Sequence, residues 1–155
     1  MLFRSLEGCI LKCEEALALD ANCVVAYGFR GAALIYSGRR EQGRTALQSY
    51  LRLDPLDPGR SNRVLEIAIS HYFEDNYEQA AKICRDSIRQ FPNHRPTYRF
   101  LLASLGQLGR RAECDALMEI APAGYDYYAH HRPPWYQARD HAHMLEGMRK
   151  AGWSE

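Results

Sequence analysis

Cysteine and histidine are the residue types here that could do chemistry, the first as a nucleophile and the second as a base or a zinc ligand. The chain of 155 residues has five cysteines, Cys9, Cys13, Cys23, Cys84 and Cys114, an odd number without C-x-x-C spacing. That pattern suits reduced thiols better than a disulfide framework. Four histidines, His130, His131, His141 and His143, crowd the C-terminal segment. Adjacent histidines point apart in an extended chain, and i, i+2 histidines point apart on a helix, whereas a helical metal pair needs i, i+4. No metal site and no cofactor are expected, and polar contacts within the tail are the simpler role for these rings. A metal protein built on the tail histidines is the alternative. The sequence contains no glycine-rich phosphate loop, no G-x-S-x-G and no H-E-x-x-H. Its carboxylates are scattered as on solvated helix faces. No catalytic residue is assigned, and the chain is read as noncatalytic.

Charge narrows the partners. Twenty basic and nineteen acidic residues leave a net charge of +1, which gives no broad field for nucleic acid or an anionic membrane. The apolar runs are only a few residues long, far short of the roughly 20 that span a bilayer, and the first residues lack the apolar core of a signal peptide. A cytoplasmic address follows by default. The expected partner is therefore another protein or peptide.

The elements that must position these residues are helices. Gly38, Asp75 and Gly109 mark one recurring point at separations of 37 and 34 residues, with Arg39-Arg40 and Arg110-Arg111 following the glycines. The periodicity predicts helices over 3–19, 24–37, 41–53, 61–74, 77–90, 95–108, 111–119 and 139–151, and no stretch alternates as a strand. Gly38 and Gly109 stand where a helix ends on a left-handed residue. Asn76 is expected to cap the helix beginning at Tyr77, with Gln79 in capping-box position, and Pro92 ends that helix. Gly152 ends the last one.

A 34-residue period of helix pairs matches the tetratricopeptide pattern. Tyr27, Arg30, Gly31 and Leu34 are followed by Gly43, Leu47 and Pro55. Val64, Ile67, Ala68 and His71 are followed by Ala80, Cys84 and Pro92. Tyr98, Leu101, Leu102 and Leu105 are followed by Cys114 and Met118, with Pro122 arriving early, so the second helix there should be short. Cys9 and Cys114 share the slot of Ala80, and Cys13 and Cys84 share that of Leu47; such slots face the partner helix, so these four read as buried hydrophobes. Cys23, between helices, is the accessible one. His71 falls in an aromatic slot and is expected in the core.

The fold class this implies is all-α, a tetratricopeptide-like (TPR-like) solenoid of antiparallel helix pairs, with about three repeats, an incomplete N-terminal one and a C-terminal capping helix. Residues 1–122 would form the repeats, and 123–155 an aromatic, proline-rich tail with the capping helix. Because Cys9, Cys13 and Ala16 fall 34 residues before Gly43, Leu47 and Tyr50, the segment 6–19 resembles the second helix of a pair, and the chain is expected to have been cut from something longer, with an apolar flank around Phe3, Leu6 and Ile10. A homodimer through that first helix is one way to cover its apolar flank.

In tetratricopeptide proteins the first helix of each pair lines a concave groove. That resemblance makes Phe29 and Tyr36, then Leu65, Ile69, Tyr72 and Phe73, then Arg99 and Phe100 the groove candidates, with Arg99 a polar register point. The subset of the family that grips a peptide's terminal carboxylate uses lysine, asparagine and arginine; the matching positions here offer Gly28, Ala32, Leu65, Ile69 and Arg99, so that ligand class is not expected. The occupant is either a partner's apolar segment or the chain's own aromatic tail. The tail is itself distinctive. His131-Arg132-Pro133-Pro134-Trp135, and then the run from Asp140 to Trp153, resemble the C-terminal end of bacterial class III adenylate/guanylate cyclases that carry tetratricopeptide repeats behind the cyclase domain. In those proteins catalysis belongs to a preceding domain with metal-binding aspartates, so the resemblance implies a regulatory or interaction region.

Overall fold

Four helices in this chain end where the backbone turns left-handed, three of them at the recurring point of the sequence and the fourth after the last helix, where Gly152 has φ 93° and the N–H of Trp153 bonds to the Met148 carbonyl at 3.1 Å. A computed structural model describes residues 5–154, so the expected start of the first helix at Phe3 lies outside the described residues. Gly38 (φ 97°), Asp75 (φ 61°) and Gly109 (φ 68°) each follow a helix. The next residue's N–H then bonds back to the fifth carbonyl behind it: Arg39 to Leu34 at 2.9 Å, Asn76 to His71 at 2.9 Å, Arg110 to Leu105 at 3.0 Å. This closure satisfies carbonyls that the helix leaves open. Aspartate tolerates the left-handed region better than most residues because its short side chain bonds locally, and the Asp75 carboxylate accepts from the Tyr77 hydroxyl at 2.7 Å.

Among the described residues the chain is all-helical, with nine α-helices and no strand. They are α1 (Leu6–Leu19), α2 (Val24–Tyr36), α3 (Arg40–Leu53), α4 (Arg60–Tyr72), α5 (Tyr77–Gln90), α6 (Arg95–Gln107), α7 (Arg111–Ile120), α8 (Tyr127–His130) and α9 (Ala138–Lys150). Helix α7, which Pro122 was expected to shorten, has 10 residues against 14 in α3 and in α5. Local bonds recur with the sequence period. Helix-end N–H groups of Asp20, Asp54, Phe91 and Ala121 bond to the carbonyls four residues earlier, and those of Cys9, Gly43, Ala80 and Cys114 do the same at the helix starts. Tyr27 and Tyr98, equivalent in the repeat, each donate a hydroxyl to a carbonyl six residues back, Ala21 at 3.0 Å and Pro92 at 2.8 Å.

Two expectations need correction. Asn76 occupies the N-cap position of α5 but makes no side-chain cap bond; its carbonyl accepts the first helical bond from Ala80 instead. The side-chain cap is found on α1, where the Ser5 hydroxyl accepts from the N–H of Gly8 at 3.0 Å. The one-turn helix α8 was not anticipated. Pro133 and Pro134 follow it, so they constrain only what comes after.

The chain divides into two compact units, one ending at Ser70 and the other beginning at His71, with the boundary inside α4. In the first unit α2 crosses α3 at Gly31 and Gly43. A Cβ on Gly31 would stand 2.6 Å from Leu47 Cγ, and one on Gly43 would stand 2.7 Å from the Gly31 carbonyl oxygen. That approach lets Leu34, Ile35 and Leu47 bury completely or nearly so, each contributing about 1.5 to 3 kcal/mol by removal from water. Helix α1 adds Cys9, Ile10 and Cys13 against Ala26, Ala33 and Leu34. In the second unit α6 is the centre, packed by α5, α7 and α9. Residues 123–154, read from the sequence as an aromatic tail with a capping helix, belong to this unit. Helix α9 lies on α6 at a glycine crossing: a Cβ on Gly106 would fall on the Gly147 carbonyl oxygen, and one on Gly147 would fall on the Tyr72 hydroxyl.

Candidate functional site

In the first unit four groove candidates divide by burial. Tyr36, Leu65 and Ile69 are buried, while Phe29 stays 44% exposed. One turn earlier on α2, at i, i+4 spacing, Val25 is 63% exposed, so α2 presents two neighbouring apolar side chains to solvent. The Arg63 guanidinium of α4 lies over the Phe29 ring at 5.3 Å and over the Tyr50 ring at 5.6 Å.

Arg63 anchors a polar network that composition and period could not announce. Its Nη1 donates to both carboxylate oxygens of Glu66, at 3.0 and 2.8 Å. Burial pushes the Glu66 carboxyl up to about 7, against the pull of Arg63 in the other direction. The Tyr50 hydroxyl donates to Asp57, which also accepts from the N–H of Gly59 at 2.6 Å. Burial, then that acidic partner, pushes the Tyr50 phenol up to about 12. Phe29, Tyr50, Arg63 and Glu66 thus form one partly exposed patch with an apolar edge and an internally paired polar floor.

In the second unit the remaining four candidates, Tyr72, Phe73, Arg99 and Phe100, are all buried. They lie against residues from the C-terminal segment. The Tyr72 hydroxyl donates to the His143 carbonyl at 2.8 Å, and its ring is 4.7 Å from the His143 ring. Phe73 meets Tyr136 edge-on at 6.1 Å. Arg99 donates to the Tyr125 carbonyl at 3.2 Å and lies over the Tyr128 ring at 5.3 Å. Phe100 packs edge-on to Tyr72 at 5.6 Å. Burial raises the Tyr72 and Tyr77 phenols above their ordinary range, with nearby acids adding to it.

The chemistry-bearing residues are dispersed rather than gathered. His130 is 3.5 Å from Asp126, His131 stacks on Tyr127 at 4.7 Å, His141 pairs with the Tyr128 carbonyl at 2.8 Å, and His143 pairs with the Tyr77 hydroxyl at 2.8 Å. Among the described residues no three histidine, cysteine, aspartate or glutamate side chains come together as a metal-holding set. All five cysteines are free thiols; Cys9, Cys13, Cys84 and Cys114 are buried and Cys23 is half-buried. Burial pushes Cys13 up to about 11 and Cys84 up to about 12, which keeps them protonated and poor nucleophiles. His71 is half-buried rather than fully enclosed. Among the described residues no helix is long and apolar enough to cross a membrane.

Asp75, Tyr77 and His143 make a compact polar cluster that sequence spacing did not bring together. Tyr77 donates to Asp75 at 2.7 Å, and His143 Nε2 lies 3.4 Å from the same carboxylate oxygen. The aspartate and tyrosine are neighbours in the α4–α5 turn, whereas the histidine arrives from α9. Comparison with protein-family models and with curated protein sequences gives no match.

Proposed function

We propose that this chain is a noncatalytic TPR-like interaction module, acting as a regulatory region of a bacterial class III adenylate/guanylate cyclase, with a cytoplasmic address. The observation that carries the interaction reading is the exposed pair Val25 and Phe29 on α2, beside the Arg63 guanidinium. An apolar pair next to a ringed arginine is the kind of surface that receives the apolar face of a partner segment. The solenoid reading is supported by helix-end, helix-start and tyrosine bonds that repeat with the 34- and 37-residue spacing. It is also supported by ion pairs at equivalent places, Arg39 with Glu7 and Arg110 with Glu78. The cyclase reading rests on the tail residues His131 to Trp135 and Asp140 to Trp153.

Two experiments test the proposal. Val25→Asp and Phe29→Asp, made in the longest natural protein that contains this chain, should alter its regulated output while circular dichroism stays unchanged; unchanged output with unchanged helix content removes the groove reading. The DNA encoding the residues ahead of Met1 tests the parent. A frame carrying paired metal-binding aspartates supports a cyclase, and a stop codon immediately upstream removes it. A second reading, a homodimer through α1, is favoured by Leu11 and Leu19, which α1 leaves exposed. Sedimentation over a concentration series decides it, and a strict monomer excludes it.

A further inference from the structure

Two cysteines meet the helical spacing for a metal pair that the tail histidines fail. Cys9 and Cys13 stand at i, i+4 on α1, so their side chains leave the helix on one face with Cβ atoms about 5 to 6 Å apart. The matching positions of the sequence period hold Gly43 with Leu47, Ala80 with Cys84, and Cys114 with Met118. Residues without a thiol therefore satisfy the packing at these positions, and only α1 presents two thiols together. The structure joins them. The Cys13 thiol is hydrogen-bonded with Cys9, and the Cys9 thiol donates to the Phe29 carbonyl of α2 at 3.8 Å. Both side chains keep a little surface, 5 and 6% exposed, whereas Cys84 and Cys114 have none. Cys23, the half-buried thiol ahead of α2, packs against the same cluster and lies within electrostatic reach of Cys13.

The charges around the pair favour an anionic complex. Burial works to keep both thiols protonated, while the Arg63 guanidinium opposes it at Cys9 and the Arg30 guanidinium opposes it at Cys13. Both arginines have acidic partners, Glu66 and Glu14, yet their field still reaches the sulfurs. A monovalent ion held by two thiolates leaves a net negative charge, which is the sign that these guanidinium groups stabilise. Coordination number then selects the ion. Among the described residues no third histidine, cysteine, aspartate or glutamate completes a metal-holding set, so the four-ligand tetrahedron of structural zinc is not supplied. Soft monovalent ions are content with two sulfurs in line, and thiolate is the ligand that selects Cu(I).

We infer that Cys9 and Cys13 form a two-coordinate binding site for Cu(I), with Cys23 as the thiol through which the ion enters. Binding replaces two S–H bonds by two S–Cu bonds and releases two protons to water. Copper stays Cu(I) throughout, so no oxidant or reductant takes part. The ion occupies the place of the proton shared between the sulfurs, and the long bond from Cys9 to the Phe29 carbonyl is given up. Passage from Cys23 inward is an exchange of one thiolate ligand for another. The site does not rest on the proposed interaction role of the chain.

The test is anaerobic titration of the reduced full chain, purified without a histidine tag, with Cu(I) in competition with the chelator bicinchoninate. One ion per chain should be drawn from the chelator, and X-ray absorption should show two sulfur neighbours. Because two protons leave, affinity should rise about a hundred-fold per pH unit around neutrality. Cys9→Ala and Cys13→Ala should each abolish the competition with circular dichroism unchanged, Cys84→Ala in the other unit should bind as the wild type does, and Cys23→Ala should slow uptake several-fold. Tight binding kept by Cys9→Ala and Cys13→Ala, or lost equally in Cys84→Ala, overturns the site. Three sulfur neighbours overturn the two-thiol assignment, displacement of Cu(I) by an equal concentration of zinc overturns the choice of ion, and an unchanged uptake rate in Cys23→Ala overturns the entry route. If a variant of the pair does not fold, the wild-type stoichiometry, sulfur count and pH slope still decide, and the absence of any one of them overturns the site.

Discussion

Tyr72 shows at the residue scale how a side chain suited to a groove becomes part of a core. It is fully buried, with its ring among Phe73, Tyr77, Phe100 and His143 and its hydroxyl bonded to the His143 carbonyl. Tyr72→Phe keeps the ring and strands that carbonyl, so urea unfolding should show a loss of about 1 to 2 kcal/mol. Tyr72→Ala should cost about 3 to 5 kcal/mol because the cavity is added to the lost burial. An equal, small cost for both would mean that the ring is not core. Glu66 sets a pH dependence. Burial moves its carboxyl from the ordinary 4.5 of the unfolded chain up to about 7 in the folded one. Between those values the unfolded state releases the proton first, so stability falls as pH rises. The urea midpoint should therefore drop from about pH 5 to about pH 8 in the wild type, and the drop should shrink in Glu66→Gln. A parallel slope in both proteins would assign the effect elsewhere.

At the scale of elements, two glycines separate backbone conformation from packing. Gly109 is left-handed at φ 68°, and a Cβ there would meet nothing within 4 Å. Gly109→Ala should cost about 1 kcal/mol, the steric cost of that conformation alone. Gly147 has an ordinary helical backbone but sits where α9 touches α6, and a Cβ would press on the Ala103 carbonyl at 2.6 Å and on the Tyr72 hydroxyl. Gly147→Ala should cost more, about 2 to 3 kcal/mol, through overpacking. Urea denaturation of the two variants side by side checks the order; the reverse order would mean that α9 does not lie tightly on α6. Helix α6 is where such a change is felt most, since α5, α7 and α9 all pack against it.

For the whole molecule, charge is the property that the sequence gives without ambiguity. With a net charge of +1 at pH 7 and an isoelectric point near 7.7, the chain has almost no net self-repulsion near neutrality. Its solubility should pass through a minimum near pH 7.7 and rise on either side, as light scattering across a pH series would show. A monotonic trend would point to association through apolar surface, with Val25, Phe29, Leu11 and Leu19 as the exposed groups to change first.

Helix positions were legible from the chain alone because they rest on interactions a few residues long: apolar spacing at the helical period, Gly38 and Gly109 at left-handed ends, and prolines past the ends. Tyr77–Gln90 matches the expected span at both ends. The four thiols of Cys9, Cys13, Cys84 and Cys114 were legible as core for the same reason, since the repeat fixes which face they share. Helix α8 and the missing Asn76 cap bond were not, because a single turn and one side-chain rotamer carry too little pattern. The candidate site was legible only as a set of positions. Phe29, Tyr36, Leu65, Ile69, Tyr72, Arg99 and Phe100 sit on α2, α4 and α6, and Phe73 in the turn just past α4, yet only Phe29 keeps a large exposed surface. What covers Tyr72, Phe73 and Arg99 comes from residues 125–143, and what pairs with Arg63 comes from the next turn of α4 and from α3. Period assigns a face to each helix, but only the packing of segments distant in the chain decides which faces are covered and which polar edges are left open, because each contact's free energy depends on both partners arriving at the same place.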